Sequence, residues 1–233
     1  MPDAKNLSAA HSADILLLTL VAGSADALGF ISLGHVFTSN MTGNLVLMGI
    51  SLSEGRNADT LRSLLAFLAF VLGAGLGAGI CRRTSRPETL ARAVTITLAC
   101  EAALLMVFAL GSTSFHPREQ AAFAYVLIAL LSGAMGLQSV AGLLLGIPGV
   151  VTTVVTGTLT SLVTGLIRSI GSTGSPQPAA PIHFGLQTLV IVAYGAGAAI
   201  GGLLIARAPL FSGFFPVTVA LIVIVLRLAQ RVR

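Results

Sequence analysis

Eight apolar stretches, each close to the length that crosses a bilayer, set what this chain can fold into. They cover about 14–34, 36–53, 61–81, 91–111, 121–145, 150–167, 183–206 and 211–228. A spanning helix needs about 20 apolar residues. In hydrocarbon each backbone N–H and C=O must be bonded inside the structure, which makes helices the expected form for runs of this kind. Charged residues make up 9% of the chain, against about a quarter in soluble domains. The expected fold is therefore an all-α polytopic membrane protein with one integral domain, preceded by a polar tail over residues 1–13. The +5 net charge comes mostly from arginines outside or at the ends of the apolar runs, the distribution that sets membrane topology, so nucleic-acid binding is not implied. Cys81 and Cys100 make neither a metal-binding spacing nor a disulfide framework, and no metal or cofactor is expected. Ile15–Val21 followed by Ala25-Asp26-Ala27 has the outline of a cleavable signal. The apolar run continues past that point and two acids precede it, so an uncleaved helix is expected.

The eight segments read as an internal duplication, four to each half, with the first half at 14–115 and the second at 120–233. Gly23 corresponds to Gly133, Thr42-Gly43 to Thr156-Gly157, and Gly73-Ala74-Gly75 to Gly195-Ala196-Gly197. The offset grows along the chain where the second half has longer loops. Internal repeats are a recurring plan of secondary transporters. Six to eight segments cross. If segments two and six are broken or re-entrant, nine of the thirteen basic residues fall on the side of the termini, and the charge bias puts both termini in the cytoplasm. The length and apolarity of 150–167 support eight crossings instead.

Two carboxylates lie deep in the apolar runs. Asp26 in segment one and Glu101 in segment four sit where insertion costs a charge about 2.5–3.5 kcal/mol, so a proton or ion-coupling role is the default expectation for each. Asn40 and Asn44, four apart, share a helix face. With Thr42 they suit either substrate binding or the capping of a broken helix, for which Gly43 would supply unusual dihedrals. Thr152, Thr156, Thr160 and Thr164 form a hydroxyl stripe in segment six, of which Thr152 and Thr156 are candidate substrate contacts. Gln138 in segment five is the nearest analogue of Asp26 by position and joins that set. Gly73, Gly77, Gly195 and Gly197 are read as helix-packing positions, because small residues let helix backbones approach closely.

These motifs resemble a known family. Gly23-x-x-Asp26-Ala27, the run Phe37-x-Ser39-Asn40-Met41-Thr42-Gly43-Asn44, Gly136-Leu137-Gln138, Pro148 and Thr152-Thr153-x-x-Thr156-Gly157-Thr158-Leu159 are similar to those of the YoaK-like family of uncharacterised bacterial multi-pass membrane proteins. The resemblance covers nearly the whole chain. It implies location and class more than an activity.

The residues by themselves favour a transporter of small molecules or ions in the bacterial cytoplasmic membrane, with a site between the repeats. A lone carboxylate and no mid-membrane arginine point to a small polar or cationic solute. The alternatives are a structural or regulatory subunit and a membrane-embedded enzyme. For the enzyme the chain offers no HExxH, no Ser-His-Asp set, no paired cysteines and no phosphate loop, so no catalytic residue is expected. The bilayer is the expected partner, and small-residue helices also suit a homo-oligomer.

Overall fold

The structure is a computed structural model that describes residues 4–82, 87–114, 121–145, 155–171 and 184–232. The described residues form helices α1 (Ala4–Ser32), α2 (Met41–Ser53), α3 (Asn57–Cys81), α4 (Pro87–Thr113), α5 (Ala121–Leu144), α6 (Val155–Gly171), α7 (Phe184–Arg207), α8 (Pro209–Ser212) and α9 (Phe214–Val232). Among them α1, α3, α4, α5, α7 and the α8–α9 stretch are long and apolar enough to cross a membrane. α2 is not: its 13 residues rise only about 20 Å, short of a hydrocarbon core of about 30 Å. α1 starts at Ala4, so most of the expected tail is helical. No Gly or Pro interrupts residues 4–13, and extending an existing helix is far easier than nucleating one.

Two parallel pairs organise the bundle. A Cβ built on Gly23 of α1 would lie 2.1 Å from the Tyr194 carbonyl oxygen and 3.1 Å from the Ala198 nitrogen of α7. One built on Gly136 of α5 would lie 2.2 Å from the Phe70 oxygen and 2.7 Å from the Ala74 nitrogen of α3. In return, a Cβ built on Gly73 would lie 2.1 Å from the Gly133 carbonyl oxygen, and one on Gly197 2.3 Å from the Leu20 carbonyl oxygen. No residue with a side chain fits these crossings, and dispersion between the close backbones replaces the hydrophobic drive that lipid removes. Of the four glycines expected to pack helices, Gly73, Gly77 and Gly197 do so. Gly195 does not: it is exposed on the outer face of α7, and a Cβ there would meet nothing within 4 Å.

The remaining seams close a ring of α1, α5, α4 and α9. α4 runs antiparallel to α5, with Gly111 against Leu127 and Gly133 against Leu104. α9 returns along α1, where Arg227 donates to Asp14 Oδ2 at 2.8 Å in a buried ion pair. Leu105, Phe108, Leu127, Leu131 and Met135 fill the ring with almost no exposure. Outside it, Leu72, Leu76, Leu203 and Val225 stand exposed, the surface a lipid-facing helix presents.

Candidate functional site

α1 ends at Ser32, and just beyond it Gly34 and His35 are both left-handed at φ 92° and 60°. His35 packs edge-on against Phe30, and Phe37 stacks on the same ring. The chain therefore turns back toward the middle of α1 instead of leaving the bundle. Thr38 and Ser39 reach Asp26, six residues before the helix end. α2 then starts beside the centre of α1 and runs outward, so that Ser51 Oγ lies 2.9 Å from Thr60 Oγ1 in the first turn of α3. Gly34 contacts Arg62 on that same side. Segment two thus enters and leaves on one face.

Asp26 holds this loop. Its Oδ1 accepts the N–H groups of Thr38 at 2.7 Å and Ser39 at 2.6 Å, with the Thr38 hydroxyl at 3.3 Å. Its Oδ2 accepts the Ser39 hydroxyl at 2.7 Å and the Tyr194 hydroxyl from α7. Five donors surround a side chain that is 3% exposed. The backbone groups freed by the break are thereby bonded inside the bilayer, as hydrocarbon surroundings require. The geometry makes Asp26 the organiser of the re-entrant loop, with no oxygen left open.

The two asparagines divide the remaining work. Asn44 is fully buried; its Oδ1 accepts from Phe37 N–H at 2.9 Å and its Nδ2 donates to the Phe37 carbonyl at 2.6 Å, copying a strand pairing. Asn40 is the N-cap of α2: its Oδ1 accepts from Gly43 N–H at 3.2 Å and from the Thr42 hydroxyl at 2.9 Å. Gly43 lies within α2 and not at the break; it is needed because a Cβ there would come within 2.8 Å of the Phe37 ring. The unusual dihedrals fall on Gly34 and His35 instead.

Beside this loop is a cavity of about 300 Å³ lined by Ser39, Asn40, Met41 and Thr42, by Val155 and Thr156 of α6, and by Phe70, Ser139 and Tyr194. The first turns of α2 and α6 meet at it. Asn40, Thr42 and Thr156 are brought together there. Gln138 and Asn44 are not. Gln138 is fully buried and donates to the Leu18 carbonyl at 2.9 Å, tying α5 to α1; its neighbour Ser139 faces the cavity in its place. Thr152 lies outside the described residues. Tyr194, Phe70 and Ser139 were missed by sequence reasoning. A signal existed for the first, since one of only two tyrosines falls amid the glycines of an apolar helix, where a phenol needs a polar partner.

Glu101 sits apart from the cavity, on the ring-facing side of α4. It has no exposed surface, and neither carboxyl oxygen has a hydrogen-bond partner among the described residues. A buried polar group left unpaired costs about 1–3 kcal/mol. Glu101→Leu is therefore expected to raise thermal stability in detergent by about that amount, while Glu101→Gln leaves it nearly unchanged. A destabilised Glu101→Leu would mean that the carboxyl is bonded in the folded protein.

The model of a family described as proteins of unknown function, DUF1275, matches residues 15–227, from the start of the first span to the last turns of α9. The chain belongs to this family. Among its relatives is the UPF0700 transmembrane protein YoaK of Bacillus subtilis, 43% identical over 147 residues. That alignment covers 61% of this chain and 61% of the relative. No solved structure matches. The resemblance carried by the SNMTGN run is thus correct, and the DUF1275 member described here is a multi-pass membrane protein.

Proposed function

We propose that this protein is a transporter, and not an enzyme, that moves a small polar solute across the bacterial cytoplasmic membrane through the cavity between its halves. The observation that carries this reading is the cavity's lining: the first turns of α2 and α6, one from each half, face the same space. Broken helices that point their ends at a shared central site are how many secondary transporters bind.

The packing supports a duplication in which the second half is inverted. Gly23 and Gly136 each approach a carbonyl and the amide four residues on, at Tyr194/Ala198 and Phe70/Ala74; Gly73 and Gly197 each meet one carbonyl. These pairings favour Gly23 with Gly136 and Gly73 with Gly197, three and two residues beyond the register read from the glycines alone. In the new register Asp26 pairs with Ser139 and Phe70 with Tyr194, and Thr42 with Thr156. The cavity would then lie on the pseudo-twofold axis. α1 runs parallel to α7 and α3 to α5, so each pair can move as a unit against the other. Both termini are placed in the cytoplasm, as the basic residues favour. Glu101 is the carboxyl free to bind and release a proton, since Asp26 has both oxygens committed.

A cysteine-accessibility scan tests this. With Cys81 and Cys100 replaced, single cysteines at 40, 42, 139, 156 and 194 in membrane vesicles should react with a water-soluble maleimide, from one side or from both. Cysteines at Leu105 and Leu131, in the dry ring, should not react. Unreactive positions around the cavity would overturn the proposal.

A further inference from the structure

Resting on that reading, we infer that the cavity takes a solute that donates hydrogen bonds, a small molecule with an ammonium head, because the hydroxyls around one end of it have already given their protons away. The Ser39 and Tyr194 hydroxyls both line the cavity, and both donate inward to Asp26 Oδ2. The Thr42 hydroxyl also lines it and donates to Asn40 Oδ1. That oxygen is fixed as the acceptor by the Gly43 N–H it also receives. A hydroxyl has one proton and two lone pairs. With the proton committed, each of these three oxygens presents only acceptor capacity to a ligand.

Charge points the same way. The carboxylate of Asp26 lies one hydrogen bond behind two of the three hydroxyls and polarises them outward. Among the described residues the lining contains no Lys or Arg. The positive end of α2, which would otherwise favour an anion, is opposed by the Asn40 cap on the Gly43 N–H and by the negative charge of Asp26 bonded to the two residues just before that cap. Phe70 and the ring of Tyr194 add aromatic surface, which suits a cation as well as an apolar tail.

Three probes separate charge from hydrogen-bond donation: ethylammonium, tetramethylammonium with the same charge and no N–H, and acetate. Binding to the purified protein in lipid nanodiscs is read as a saturable shift in the thermal unfolding midpoint. Ethylammonium should bind, and tetramethylammonium and acetate should bind at least tenfold more weakly. Thr42→Val, at an exposed position that the fold does not require, should weaken ethylammonium about tenfold, the loss expected for one charge-assisted hydrogen bond. Asp26→Asn keeps an oxygen for the Thr38 and Ser39 N–H groups but gives Ser39 and Tyr194 an amide that donates to them. Their protons then turn toward the cavity, so ethylammonium should weaken and acetate should gain.

Equal binding of tetramethylammonium would overturn the inference, as would preferential binding of acetate to the unaltered protein, no binding of ethylammonium, or indifference to Thr42→Val. Each of these outcomes can occur with a wet cavity in the cysteine scan, which would leave the transporter reading standing. A dry cavity would remove both.

Discussion

Asp26→Ala is expected to cost the folded protein more than about 4 kcal/mol, the range reserved for the loss of a buried polar network. Alanine removes the acceptor of two backbone N–H groups and three hydroxyls at once. Each donor left unpaired in a buried site costs about 1–3 kcal/mol, and in the bilayer no bulk water is present to take the protein's place. Asp26→Asn should retain much of the stability, because one amide oxygen serves the Thr38 and Ser39 N–H groups. The measurements are thermal unfolding in detergent and limited proteolysis across residues 33–40. Wild-type stability in Asp26→Ala, with no new cleavage, would show that the Asn44 and Asn40 bonds suffice to hold the loop.

The same residue shows how far the sequence could be read. A carboxylate in an apolar run is visible to anyone counting charges, and so is the SNMTGN cluster thirteen residues on. What joins them is a reversal of the chain at Gly34 and His35 that places Ser39 against Asp26, and no periodicity announces it. A carboxylate read alone suggests a proton carrier; read with five donors it is a fastener. Tyr194 completes the set from 168 residues away, a separation that pattern cannot bridge without the helix pairing. The six long helices were legible because hydrocarbon admits so few forms; the shortness of α2 was not, since its apolar run 36–53 is near spanning length and the helix starts only at Met41. Gln138 was misplaced because neighbouring positions on a helix point about 100° apart: Gln138 ties α5 to α1, while Ser139 meets the cavity. Gly195 was misread as a packing position for a related reason. Where every second or third residue is small, matching letters cannot tell Gly195 from Gly197. The distinction lies in which one a neighbouring backbone touches.

Those contacts lead to the second large expected effect. Gly23→Val and Gly136→Val should each prevent recovery of a monodisperse folded protein, while Gly195→Val and Gly75→Val should behave as wild type, within about 0.5 kcal/mol. At Gly23 and Gly136 the first added carbon would lie 2.1 and 2.2 Å from a carbonyl oxygen, whereas at Gly195 and Gly75 it would meet nothing within 4 Å. The obstacle is backbone in an apolar helix, so relief requires the helices to part along their length. Parting α1 from α7 pulls Tyr194 off Asp26, three residues along from Gly23; parting α3 from α5 moves Phe70 away from Ser139, three residues along from Gly136. Either change opens the cavity from one wall. Size-exclusion profiles and thermal unfolding of the four variants decide the matter. If the two seams are copies of one design, Gly23→Val and Gly136→Val should fail to the same degree. Tolerance of one and not the other would mean that the seams resemble each other without carrying equal weight, and the inverted register between the halves would lose its support.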